Sequence, residues 1–476
     1  MTFNSAVAQS RHGACVVLLC LSALFSSQTP AADTPPARAR TEPQPYSVSA
    51  VAYAGLPERL ASRARKGDVN TGPSAQELRG IFLQAVDTAI MRSPKVKGSK
   101  AQQQASRSDI DEARGQRWPQ VVLGSQTRAL QFGKSSQDEQ VGGGINLSIT
   151  TMVYDWGRLD NTIASRKQLA VAADEGSVAQ MESTGYEVVS TLIELGKQRV
   201  ISDLGQQFVN RMQDLEKMLA GIVAVDHGRA SELTQARARL MQARALRDMA
   251  DARARDAQIS LFKLVGEREI PIPRSKEWNI SLTQMEQLLS DAQNHPTIIQ
   301  ATAQAESAEL QAKVVHASGL PQLNWVISKS TNQDSFGREQ PWQTTLNMTW
   351  SVFSGGSNRA AERAALYRAD ASRQETEQQR LDLEFRIRTA DHDARSQLER
   401  AELYRDLSVE SDLIREEFFL QWHELGKRSL LDVLIAETDH YNNQVNEIGN
   451  RFDGYQSIMQ EYASAGILTR WLQEGH

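Results

Sequence analysis

The chain has 476 residues, of which 40% are hydrophobic, 23% charged and 6% aromatic, and its mean hydropathy is −0.46. No apolar run reaches the ~20 residues of a transmembrane helix, which excludes a helical membrane bundle but not a transmembrane β-barrel, whose strands alternate apolar and polar residues. With 53 basic residues against 58 acidic ones, a formal charge of −5 and no basic block, a nucleic-acid partner is excluded as well.

In chain order, the first element is an address. Ala14–Phe25 is apolar, follows Arg11, and leads into small residues up to Ala31-Ala32. That order predicts a secretory signal peptide over 1–32. Cys15 and Cys20, both inside it, lack the context of a lipoprotein cleavage site. A mature chain cut near Ala31 or Ala32 then has no disulfide, thiol nucleophile or thiolate metal site. Half of the 14 prolines fall between Pro30 and Pro73, which predicts a flexible Pro-rich leader over 33–73. Order is expected from Ser74, where Ser74 and Glu77 fit a capping box ahead of Leu78, Ile81 and Phe82.

Two stretches, 120–270 and 342–476, contain no proline and are rich in Ala, Gln, Arg, Glu and Leu, the composition of long helices. Val200, Leu204, Phe208, Met212, Leu215 and Leu219 step by three or four residues along one helix face. A single helix over 158–219 is about 90 Å long at ~1.5 Å per residue, a length suited to a coiled coil or a tube walled by helices.

The chain also repeats itself. Ser93-Pro94, Pro119-Gln120-Val121, Val153–Gly157 and Gly228–Ser231 return in the same order as His295-Pro296, Pro321-Gln322-Leu323, Val352–Gly356 and Gly426–Ser429, each about 200 residues on. The expected division is a first repeat over 74–270, a connecting equatorial segment over 271–294, and a second repeat over 295–470. Within each repeat the period changes to two. Ile145, Leu147 and Ile149 alternate with Asn146, Ser148 and Thr150, and Leu346, Met348, Trp350 and Val352 with Asn347, Thr349 and Ser351. Paired with 121–132 and 323–331, these segments predict β-hairpins over 121–155 and 323–353, with polar loops over 133–144 and 332–343. Trp118, Trp156, Trp325, Trp342 and Trp350 lie in or beside the hairpins, where interfacial tryptophans of a membrane strand belong. Each repeat is expected to end in a helical hairpin with its tip near 220–231 or 422–432. Four strands cannot close a barrel in lipid, because known barrels begin at about eight strands and an open edge is costly. Two chains supply eight strands and three supply twelve.

Taken together, these landmarks resemble the TolC family of outer-membrane efflux and secretion channels. The likeness is carried by Ser93-Pro94, Trp118-Pro119-Gln120, Tyr154–Arg158, their second-repeat partners, and the run Gly426–Ala436. It covers about 74–470. The resemblance implies a mainly α fold with a small β part: a long α-helical barrel, or coiled-coil tunnel, plus a 12-strand transmembrane β-barrel assembled from three chains. It implies an outer-membrane location with a long periplasmic extension. It further implies a passive homotrimeric duct in contact with outer-membrane lipid, working with a periplasmic adaptor protein and an inner-membrane ABC or proton-driven transporter. No cofactor, metal or catalytic residue is expected. The pore-entrance aspartate of the family corresponds to Asp432, while its second acidic position is Ile435 here. Arg428 matches an arginine that helps hold the tip closed. His423 and Thr234 replace the aromatic hydroxyl partner and the first-repeat aspartate, and Gly228 and Gly426 mark the tip turns.

No Walker loop, nucleophile elbow, GxGxxG or His-x-x-x-His pair occurs in the sequence, so an enzyme is not expected. The cargo reading is one-step (type I) protein secretion, with multidrug efflux as the alternative. A soluble periplasmic coiled-coil adaptor or structural protein is the reading of a different class, and resistance of the membrane-bound chain to carbonate extraction separates it from a barrel.

Overall fold

The computed structural model describes residues 72–126, 144–331 and 338–474. The expected signal peptide, nearly all of the leader, the end of the expected 121–132 strand with all but Gly144 of the 133–144 loop, and residues 332–337 of the 332–343 loop lie outside the described residues.

Elements run in one sequence twice over: helix, helix, two strands, a very long helix, a shorter helix. The first series is α1 (Ala75–Arg92), α2 (Pro94–Gly115), β1 (Gln120–Gln126), β2 (Gly144–Tyr154), α3 (Arg158–Val223) and α4 (Ala230–Val265). The second is α5 (Met285–Ala292), α6 (Pro296–Ser318), β3 (Gln322–Ser330), β4 (Gln343–Thr349), α7 (Ser357–His423) and α8 (Leu430–Ala465), closed by the short α9 (Leu468–Gln473). α3 has 66 residues and α7 has 67, so each is about 100 Å long. No described helix is long and apolar enough to cross a membrane.

Local chemistry sets the helix boundaries. Ser74 accepts the N–H of Glu77 at 3.2 Å and caps α1, while Ser93 and His295 cap α2 and α6 directly before Pro94 and Pro296. Proline is tolerated there because the first-turn N–H has no helical partner to lose.

The two long helices form the frame. Along its sheet-proximal half α3 packs against α2, through Arg107 and Asp174, and against α6, where the hydroxyls of Ser165 and Ser307 meet at 2.8 Å. Along its distal half it packs against α4 and α8: Phe208 stacks on Tyr441 at 4.6 Å, and Arg211 donates to the buried Glu437 at 2.7 Å. All six residues of the predicted apolar ladder are buried here. Midway along, the extended segment after α4 inserts Trp278 between Phe82, Phe452 and Tyr455.

The four strands form one antiparallel sheet in the order β1-β2-β3-β4, so the two hairpins also pair with each other through β2 and β3. The hairpin over 323–353 is shorter than expected. β4 stops at Thr349, which lies opposite Gln322 at the start of β3. Beyond it there is no strand left to pair with, and Gly355 and Gly356, at φ +62° and +85°, turn the chain into α7.

Candidate functional site: the two ends of the molecule

At one end, register sorts the sheet residues by face. Directly opposed residues share a face, and the pairs Val121–Ile149, Leu123–Leu147, Ile149–Ile327, Trp325–Leu346 and Leu323–Met348 build one apolar surface. The opposite surface is mostly polar, carrying Gln120, Asn146, Ser148, Thr150, Asn324, Ser328, Thr345 and Asn347 with Val122, Met152 and Val326 among them. A register shift between Met152 and Tyr154 places Tyr154 opposite Leu323, on the apolar side. Val121, Leu123, Ile145, Leu346 and Met348 are each more than half exposed. One apolar face, one mostly polar face and two unpaired edges are what a barrel wall in lipid requires.

The five tryptophans singled out in the sequence are all exposed on this chain, at or near the sheet. Trp325 donates its indole N–H to Thr344 Oγ1 at 2.7 Å. Trp156 donates to the carbonyl of Pro321 at 2.8 Å and is the one described non-glycine residue with positive φ, at 58°. That conformation is costly for a bulky residue, and the hydrogen bond to the Pro321 carbonyl holds it.

At the other end, α3 and α7 turn back into α4 and α8. In the first turn, Asp226 accepts the N–H of Gly228 at 3.0 Å, and Arg229 makes a two-point contact with Glu232. Gly228 needs no special backbone here; its role is the close approach to Asp226, whose carboxylate would stand 3.1 Å from a Cβ. In the second turn, Gly426 has φ +61°, a conformation that favours glycine. Ser429 then caps α8: its hydroxyl accepts the Asp432 N–H at 3.2 Å, and its own N–H donates to Asp432 Oδ2 at 3.1 Å. The Ser429 hydroxyl also donates to Asp432 Oδ2 at 2.9 Å, and this bond, then that from the Ser429 N–H, with Arg428 nearby, hold the Asp432 carboxyl below the usual carboxylate range.

Asp432 and Arg428 are therefore neighbours on the exposed tip, with Arg428 just ahead of the Ser429 cap of α8. Its guanidinium lies 4.1 Å from the ring of Phe418 and donates to Gln421 Oε1 at 3.2 Å. His423 stacks on Phe419 at 5.6 Å. Thr234 is occupied within its own helix, donating to the Ala230 carbonyl at 3.1 Å. The link between the two turns escaped the sequence reading: Arg229 of the first sits 5.6 Å above Trp422 of the second. Arg229 was legible only as a landmark of the repeat. Trp422 closes an aromatic run with Phe418 and Phe419 at the end of α7, a pattern that shows helix-face clustering but not the partner on the other turn.

The comparisons agree with this geometry. Residues 288–460 match the family model described as outer membrane efflux protein. The outer membrane efflux protein BepC of Brucella suis is 22% identical over 401 residues, covering 81% of this chain and 80% of its own. Protein CyaE of Bordetella pertussis is 26% identical over 336 residues, covering 64% and 66%. Among solved structures, the outer membrane protein VceC of Vibrio cholerae superposes with a TM-score of 0.72 at 15% identity, over 83% of this chain and 99% of its own. The CmeC outer membrane channel of Campylobacter jejuni gives 0.71 at 15%, over 82% and 86%. The fold is therefore that of these outer-membrane channel subunits. By sequence over residues 288–460 and by fold over most of its length, the chain is similar to the outer membrane efflux proteins, the TolC-like outer-membrane channels.

Proposed function

We propose that three copies of this chain assemble into the passive exit duct of a tripartite export machine, conducting substrate from a periplasmic adaptor and an inner-membrane pump to the outside. The observation that carries the reading is the open four-strand sheet with one apolar face and unpaired edges at β1 and β4. α7 adds support: Leu381, Phe385, Leu403, Leu407 and Ile414 are exposed on the single chain, more apolar surface than a free helix presents to water. In the proposed assembly the 133–144 and 332–343 loops face the cell exterior, and Asp432 and Arg428 govern the periplasmic entrance.

The finer reading is type I protein secretion. Its support is that neither cysteine lies in a lipoprotein cleavage context, a feature that sets the chain apart from lipid-anchored drug-efflux channels. The second reading is multidrug efflux, and the printed name of the BepC relative carries the word efflux. Deleting the gene separates them. Secretion predicts that a protein disappears from the culture supernatant while drug susceptibility is unchanged. Increased drug susceptibility with an unaltered supernatant would refute it.

A further inference from the structure

Beneath the sheet, α6 and α7 leave a groove of about 530 Å³ between them, with Trp156 at its upper end. The ring of Trp156 packs edge-on against Tyr154 at 5.1 Å, and Tyr154 stands opposite Leu323 on the apolar face of the sheet. Through Trp156 and Tyr154 the groove adjoins the apolar face of the sheet. It lies inside one chain, between α6 and α7.

Its walls combine an apolar part, Ala312, Ala317 and Leu366, with charges of both signs. Arg373 is held by Glu309 at 2.6 Å and by Asp370 at 3.2 Å. Glu362 meets His316 at 2.8 Å. Lys313 has no carboxylate partner among the described residues. Depth fits the membrane boundary. Lys313 lies five residues before the end of α6 at Ser318, about 8 Å below the sheet at ~1.5 Å per residue. The headgroup layer of a bilayer face is about 5–8 Å thick. Trp156, above it, stands where an indole meets both hydrocarbon and water.

We propose that this groove binds an amine-bearing phospholipid of the periplasmic leaflet, with Lys313 taking the phosphate and Glu362 and Asp370 the ammonium. A zwitterionic headgroup matches walls of mixed sign, whereas a purely anionic one meets three carboxylates. The acyl chains run upward past Trp156 over Tyr154 and Leu323. The first repeat lacks this cation among the described residues. Asp111, at the position equivalent to Lys313, is a carboxylate and pairs with Arg114 at 3.0 Å. Occupancy is therefore one lipid per chain.

The test uses the full chain, extracted and delipidated in non-ionic detergent, titrated with dioleoylphosphatidylethanolamine or dioleoylphosphatidylglycerol and read by native mass spectrometry. Phosphatidylethanolamine should bind at one per chain and more tightly than phosphatidylglycerol. Lys313→Ala should weaken it about tenfold, the loss of one charge-assisted contact. Leu366→Trp, which fills the apolar part of the groove, should also weaken it. Lys100→Ala, an exposed cation about 20 Å down α2 from its sheet end, should leave binding unchanged. Equal binding of the two lipids, or parental binding by both groove variants, would overturn the assignment. So would displacement of the lipid by glycerophosphoethanolamine, the headgroup without chains. Binding is read on the purified protein, so the result is independent of cargo and of the exit-duct reading.

Discussion

Glu461 is fully buried on α8, and neither of its carboxylate oxygens has a hydrogen-bond partner. Burial, reinforced by the nearby Asp391 and opposed by Arg395, pushes its carboxyl up to about 8. Asp391 is itself buried but bound to Arg395 at 2.9 Å, so Glu461 is the one that takes the proton. The folded chain then holds a proton that the unfolded chain releases near the ordinary glutamate value of 4.5. Stability falls as pH rises between these values, by at most about 1.4 kcal/mol per pH unit for one group. Glu461→Gln should therefore raise the melting temperature at pH 8 and change it little near pH 5. An equal shift at both pH values would show that Glu461 is not the titrating group.

Asp432 behaves in the opposite sense. Its carboxyl is held low by Ser429, so the charge, and the cap it completes, persist above the unfolded value and are lost as pH falls through the depressed one. If Asp432 lines the entrance, several copies around a narrow opening concentrate negative potential. Asp432→Asn should weaken block by divalent or trivalent cations in planar bilayers. Arg428→Ser, which releases the contacts to Phe418 and Gln421, should raise single-channel conductance. Unchanged block and conductance in both variants would place the entrance elsewhere.

At the level of elements, the long helices could be read from missing proline and from the Val200–Leu219 ladder, and the strands from residues such as Ile145, Leu147 and Ile149. Period-two alternation does not report where pairing stops. Trp350 and Val352 continue the pattern, yet the ladder ends at Thr349 because β3 has no further residue to offer. The pairing of β2 with β3 was equally hidden, since it joins residues 146–154 to 323–330 and leaves no local trace. Polar residues buried on helices were missed for a related reason: a helical face shows its period, not its depth. Arg451 is an example. It reads as a surface charge but is buried and reaches Glu402 at 3.1 Å, Glu277 at 3.4 Å and Glu447 at 3.5 Å, fixing the 276–278 segment to α7 and α8. The same segment makes Gly196 necessary, because a Cβ there would lie 2.7 Å from the Trp278 ring. Gly196→Ala should destabilise the fold by about 1–3 kcal/mol, the usual cost of overpacking. Gly221→Ala, with nothing near its Cβ position, serves as control. Equal melting temperatures for the two variants would contradict the packing assigned to Trp278.

For the whole molecule, the account depends on closure. The sheet is complete within the chain on three of its ladders and unpaired at β1 and β4. In an antiparallel barrel these two edges meet between copies, since one strand runs up where the other runs down. A cysteine at Leu123 combined with one at Thr344, Leu346 or Met348 should therefore yield an intermolecular disulfide for one of the three pairs. Both native cysteines lie at or before Cys20, far from the strands in sequence, so the engineered pair can be followed against Cys15→Ser and Cys20→Ser. The most direct measurement is the mass of the detergent-extracted, uncrosslinked protein by light scattering. Three chains per particle, closing twelve strands around one lumen, is the predicted result. A monomer that stays folded would leave two strand edges open in lipid and contradict the account.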